Sequence, residues 1–271
     1  MLSVEKQMLF LLSCVKSMQT RELLTIYEKR GYAPTYLRNT LSRLKKEGFV
    51  DSPSRSVYCI TEQGRSFITL VNDKPRRYGQ QWDEQWHVVL LSVPEQERRK
   101  RDLFRNEIQQ YGFGILYNGV YISPWDRRKE VSECVDKLEL SGYVSYLQGT
   151  MELGRVTPGQ AERIWELDQL DVVYRASEQW YQHHFLPQFQ NMMQLDKAPA
   201  ADMFMLYLQL GEVVSDLFLK DPMLPDKLLP KEWNRNQELL AKMMDSHAEL
   251  IQAVPADSIY APFFVGRARA R

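Results

Sequence analysis

Between residues 34 and 48 the chain alternates apolar and polar positions with the helical period. Leu37, Leu41 and Leu44 recur at i, i+4 and i+7 and make one apolar seam. Thr35, Asn39, Ser42 and Lys46 fall on the other side, flanked by Arg38 and Arg43, and no carboxylate interrupts until Glu47. Pro34 suits a first helical turn and Gly48 a C-terminal stop. Upstream, the apolar run Met8 to Val15 belongs to a helix over about 4–17. A second helix starts at Thr20, whose hydroxyl is placed to cap the next amides, and ends at Gly31. Downstream the period falls to two: 49–51 and 57–60 are short strands around the turn-forming Ser52-Pro53-Ser54-Arg55-Ser56, and Thr61 opens a further helix to Val71. Two helices across a short glycine turn, then a hairpin, predict a winged helix-turn-helix over residues 1–75, with Arg55 near the wing tip.

Residues 72–81 are polar and contain Pro75 and Gly79, which predicts a connector, with 76–81 as the linker proper. The middle stretch, 82–150, reads strand-helix-strand-strand-helix-strand. Trp86 to Val93 is a near-continuous apolar run, and Asn118-Gly119 between β-prone runs signals a two-residue hairpin. That order predicts a ferredoxin-like split domain. Residues 151–271 carry mostly helical patterns, with a capped start at Thr157 and a proline-rich connector, Asp221-Pro-Met-Leu-Pro225. The expectation is an α+β, multidomain protein.

Charge changes the picture. The chain as a whole is neutral, but residues 1–81 hold 14 Lys and Arg against 7 Asp and Glu, a net +7 that the remaining 190 residues cancel. A basic module on an acidic body suits a polyanion. Arg can fork onto guanine and Asn onto adenine in the major groove. Thr35, Tyr36, Arg38, Asn39, Ser42, Arg43, Lys46 and Arg55 are therefore the candidate DNA-binding residues. An ordinary solvated helix face is the plainer alternative.

Signals for catalysis are weak. Gly112-Phe-Gly114 precedes a strand, so no helix start follows to hold a phosphate. His87 sits in an apolar strand, and His183 and His184 point about 100° apart on a helix. Three unspaced cysteines, Cys14, Cys59 and Cys134, indicate neither a disulfide frame nor a zinc site. The Met8 to Val15 run is too short to span a bilayer and lacks a cleavage site, which points to a cytoplasmic protein. We expect no metal, no cofactor, no membrane and no enzyme.

Four places together carry a resemblance: Leu37-Arg38…Leu41-Ser42-Arg43-Leu44…Gly48, Gly119-Val-Tyr-Ile-Ser-Pro124, Trp165-Glu-Leu-Asp-Gln-Leu170, and Asp221-Pro-Met-Leu-Pro225…Leu229-Pro230…Trp233. In these the chain resembles the phenylacetate-catabolism repressor family, the PaaX-like transcription regulators, over essentially its full length. The resemblance implies a homodimeric repressor on operator DNA, released by an aryl-acetyl coenzyme A such as phenylacetyl-CoA. For that effector the best candidates are Trp125, Arg127 and Arg128, which join a strand end to a helix start and offer two cations to phosphate; a core Trp125 with solvated arginines is the plainer alternative. The middle domain also resembles the ferredoxin-like fold of CRISPR-associated adaptation nucleases. Their metal-binding Asp at the first strand end has no counterpart in Leu91-Ser92-Val93-Pro94. The alternatives are a metal-dependent nuclease and a regulator of another pathway with a different effector.

Overall fold

The structure is a computed structural model of the 271-residue chain and describes residues 3–28, 30–195, 198–255, 258 and 260–265. The chain divides into two compact units: Met1–Leu70 with Arg175–Leu217 and Glu238–Arg271, and Val71–Tyr174 with Phe218–Gln237. Residues 151–271 are thus shared between both.

The first unit begins with α1 (Ser3–Ser13), β1 (Met18–Gln19), α2 (Thr20–Glu28), α3 (Pro34–Lys46), β2 (Val50–Ser54), β3 (Val57–Ile60) and α4 (Glu62–Asp73). Helix α1 buries Met8, Leu9, Leu11 and Leu12. It stops at Ser13, short of the expected Ser17, because Met18 and Gln19 pair with Tyr58 and Val57 in a sheet of order β1-β3-β2. That pairing also redirects Thr20. Its amide and hydroxyl both donate to the Ser56 carbonyl, at 2.8 and 3.1 Å, so the hydroxyl does not cap α2. The wing is tighter than expected: β2 runs through Pro53 to Ser54, and Arg55-Ser56 alone make the tip, with Ser56 at φ +60°.

The second unit holds β4 (Trp86–Leu91), α5 (Arg98–Gln110), β5 (Gly114–Tyr117), β6 (Val120–Ser123), α6 (Arg128–Leu138) and β7 (Val144–Gly149). The four strands form one antiparallel sheet in the order β5-β6-β4-β7. On one face Phe104 of α5 meets Tyr121 edge-on. On the other Trp86 stacks on Trp165, which follows α7 (Pro158–Ile164). Gly119 turns the β5–β6 hairpin at φ +75°; a Cβ there would lie 2.5 Å from the Leu91 carbonyl oxygen. Of the expected connector 72–81, Arg76 and residues 79–81 are exposed, while its first part is built into the fold. Helix α4 continues to Asp73, Lys74–Arg77 make a 3-10 turn, and Lys74 is fully buried with its ammonium donating to the Gln110 carbonyl.

The remaining helices among the described residues are α8 (Leu167–Trp180), a π segment at Tyr181–Phe185, α9 (Leu186–Met193), α10 (Ala200–Lys220), α11 (Asn234–Ala253) and α12 (Pro262–Val265), besides short 3-10 turns. Met203, Phe204, Tyr207 and Leu210 of α10 are all core. Phe204 stacks on Tyr260 and Phe263, and Tyr207 on His247 at 4.1 Å. These residues suit a dimer seam by composition, but the first unit's own core occupies them.

Candidate nucleic-acid interface

Helix α3 is built as its sequence dictates. Pro34 sits in the first turn after an extended Ala33, and Gly48 follows the last turn at φ +80°. Leu37, Thr40, Leu41 and Leu44 are buried, which fixes the opposite face outward. Thr35, Tyr36, Arg38, Asn39, Ser42, Arg43 and Lys46 are all exposed. So is Lys45, a cation the sequence reading passed over although it lies in the same turn. The face presents four cations and no carboxylate within the helix. Arg55 is exposed at the wing tip. Glycine 64 holds the wing to the helices: a Cβ there would meet the Phe49 carbonyl oxygen at 2.3 Å and Ile60 at 2.7 Å.

One residue of this face is not free to swing. Arg43 forms an ion pair with Glu5 of α1, whose carboxylate is buried, while the Arg43 side chain stays about half exposed. A guanidinium has five donors in a fixed fork, so one edge can remain anchored while the other faces outward. The pair sets the direction of that outer edge.

Upstream of α3, Tyr32 stacks on Tyr36 with centroids 5.8 Å apart and meets Tyr27 edge-on. Burial raises the Tyr32 hydroxyl pKa, helped by its hydrogen bond to Glu212, so the phenol stays protonated and donates.

The residues considered for an effector lie in the second unit and are less open. Trp125 is buried, its indole N–H donates to the Met223 carbonyl at 2.8 Å, and the Arg77 guanidinium lies over its ring. Arg127 is buried too, 3.5 Å from Glu130, and its Nε finds no hydrogen-bond partner among the described residues. Desolvation lowers its pKa. Arg128 is exposed, donates to Gln148 at 2.9 Å and covers the Tyr146 ring. The three are neighbours in sequence, but only Arg128 faces solvent.

Below this loop is a polar hub that no local pattern announced. Asp221 is buried and accepts the hydroxyls of Tyr78 and Tyr174, both at 2.5 Å, and the Met223 amide at 2.7 Å. Burial raises its pKa against the opposing pull of those bonds and of Lys74. His87 is a core histidine: its Nδ1 lies 4.0 Å from Asp126, beyond hydrogen-bond reach, and burial lowers its pKa. Among the described residues no group of three or more His, Cys, Asp or Glu is placed to hold a metal ion, and no helix is long and apolar enough to cross a membrane.

Comparison with known proteins gives matches over most of the chain. Residues 79–161 match the PaaX protein central Cas2-like domain, and residues 165–254 match the PaaX-like protein C-terminal domain. The chain is 26% identical over 223 residues to "Transcriptional repressor PaaX" of Escherichia coli (strain K12), an alignment covering 78% of this chain and 67% of that protein. A solved structure of an uncharacterized protein from Mycobacterium tuberculosis superposes with a TM-score of 0.44 at 20% identity, covering 86% of this chain and 88% of that one.

Proposed function

Because the chain belongs to the PaaX-like family, we propose that it is a cytoplasmic, non-catalytic transcriptional repressor of phenylacetate or related aromatic catabolism. Residues 1–75 act as a winged helix-turn-helix that binds operator DNA, and 82–150 as a ferredoxin-like body. The single observation that carries DNA binding is the exposed, carboxylate-free face of α3, set beside a three-stranded sheet whose hairpin tip carries Arg55. The sheet order β1-β3-β2 supports the winged reading, and β5-β6-β4-β7 supports the ferredoxin-like one.

In this reading Arg38, Asn39 and Ser42 reach base edges, with Thr35, Tyr36 and the outer edge of Arg43 beside them. Lys46 and Arg55 hold phosphate. Cations on phosphate set affinity and its salt dependence, while base contacts set sequence preference. A duplex selected by the unaltered protein from a random library serves as the test. Arg38→Ala should cost about 1–3 kcal/mol and relax preference at one position. Lys46→Ala should weaken all duplexes alike and lower the salt slope by about one. Equal affinity of Arg38→Ala and the parent for the selected duplex would refute the assignment. Magnesium-dependent cleavage of that duplex would refute the non-catalytic reading.

The operative form is a two-fold dimer on an inverted repeat, since one reading helix sees too few base pairs for specificity. Its interface lies elsewhere than the buried α10 seam. A one-to-one complex by light scattering would overturn it. The effector is an aryl-acetyl-CoA such as phenylacetyl-CoA, engaging Trp125, Arg127 and Arg128. The buried, unpartnered Nε of Arg127 beside exposed Arg128 supports an anion there. An effector must favour the DNA-incompetent state to release the operator. Arg128→Ala should therefore bind the duplex normally yet need more phenylacetyl-CoA for release, and an unchanged requirement would move the site.

A further inference from the structure

Helix α10 belongs to the first unit through Leu217, and one of its side chains takes hold of the turn in front of α3. The Glu212 carboxylate accepts Arg30 with one oxygen and the Tyr32 hydroxyl with the other. The Arg30 side chain is only 6% exposed, and its second amino group donates to the Gln7 side-chain oxygen at 2.5 Å. Gln7 in turn donates to the Leu208 carbonyl of α10 at 2.6 Å, and Lys6 donates to Ser215 at 3.2 Å. The contacts close a ring: Glu212, Arg30, Gln7, Leu208. From that ring two arms reach α3. Tyr32 stacks on Tyr36 in its first turn, and Glu5, next to Lys6 and Gln7 in α1, pairs with Arg43 in its last.

We propose that Glu212 is a positioning residue for the DNA-reading face of α3. It holds the 30–33 turn, and through Tyr32 and Tyr36 it sets where that helix begins. This rests on α3 being the reading helix. The turn's own bonds tie it back to α2: the Gly31 amide donates to the Glu28 carbonyl at 2.9 Å and the Tyr32 amide to that of Tyr27 at 3.1 Å, with Gly31 at φ +81°. Its side-chain hold comes from Glu212. A buried guanidinium and a phenol sharing one carboxylate supply two charge-assisted bonds at that point. Replacing Glu212 by Gln leaves Arg30 buried with its strongest acceptor weakened and Tyr32 with a neutral one.

The sign of the effect separates positioning from bulk electrostatics. Glu212→Gln removes a negative charge, which by long-range attraction alone would tighten binding to DNA. Positioning predicts the opposite: the selected duplex should bind roughly tenfold more weakly, the equivalent of about 1.4 kcal/mol. The slope of affinity against salt should not change, because neither Glu212 nor Arg30 is offered to phosphate. Tyr32→Phe is the milder variant, should lose less, and should not add fully to Glu212→Gln. A readout without DNA accompanies these. In Glu212→Gln, amides of residues 30–37 should exchange hydrogen faster while those of β4 to β7 keep their rate. Equal or tighter duplex binding by both variants, with unchanged exchange over 30–37, would overturn the proposal. If the unaltered chain selects no duplex at all, the DNA reading fails on its own, and the exchange measurement still decides whether Glu212 holds the turn.

Discussion

Replacing Asp221 by Ala tests whether the second unit depends on its buried polar hub. The carboxylate is 1% exposed and serves three buried donors, the hydroxyls of Tyr78 and Tyr174 and the amide of Met223. Alanine leaves all three without that acceptor. Each orphaned buried donor costs about 1–3 kcal/mol, and relaxation recovers part of the sum. The hydroxyl of Tyr78 also receives the Trp233 indole N–H at 3.4 Å, so it keeps one contact. We expect a loss of about 3–5 kcal/mol, a large share of the roughly 5–15 kcal/mol typical of a folded domain. Asp221→Asn retains an acceptor oxygen and should cost less than half as much. Urea unfolding followed by tryptophan fluorescence measures both, since Trp125 and Trp233 report on this unit. A shift below about 1 kcal/mol for Asp221→Ala would mean that water or rearranged side chains satisfy the three donors. The hub would then be an incidental feature.

Three further outcomes follow from buried groups and from a turn. Burial lowers the Lys74 pKa to about 7 from an ordinary 10.5. Between those values the unfolded chain binds a proton that the folded chain lacks, so this group makes stability rise with pH. In urea midpoints taken at pH 7 and 9, Lys74→Met should therefore show a smaller rise, or a steeper fall, than the parent. Gly119→Ala places a Cβ 2.5 Å from the Leu91 carbonyl oxygen at φ +75°, and should cost more than about 1 kcal/mol of thermal stability. Burial pushes the Cys134 thiol pKa up, while Cys59 and Cys14 are partly exposed. Alkylation at pH 8, followed by mass spectrometry, should therefore mark Cys59 or Cys14 well before Cys134.

Local periodicity made most elements legible. The i, i+4, i+7 leucines of α3 are buried, Asn118-Gly119 turns a hairpin, and Thr157 closes a capping box with Gln160. These features need only a few neighbouring residues, so a sequence carries them in full. Where the reading erred, a distant partner overrode local preference. Residues 14–17 left the helical pattern, because Met18 and Gln19 pair with a strand some 40 residues away. The polarity of residues 72–81 marks a connector. Yet Lys74 and Tyr78 are held by groups 36 and 143 positions further on. No window-based pattern contains such a partner.

The candidate interface shows the same division. Which residues of α3 face outward was readable, because burial of one seam settles the other side. What each exposed side chain is free to do was not. Arg38 and Arg43 are equivalent by spacing, yet Arg43 is tied to a buried carboxylate 38 positions earlier in the chain. Replacing Arg43 would take a cation from the buried Glu5 carboxylate, so the cost of breaking the pair falls on α1 as well as on α3. On the proposed DNA-binding role, Arg43 would therefore couple recognition to folding, whereas Arg38 could be exchanged for another specificity without disturbing the core. A change of operator preference should accordingly begin at Arg38 and Asn39. Selection of duplexes by Arg38 variants should return new sequences, while Arg43 variants should lose stability together with affinity.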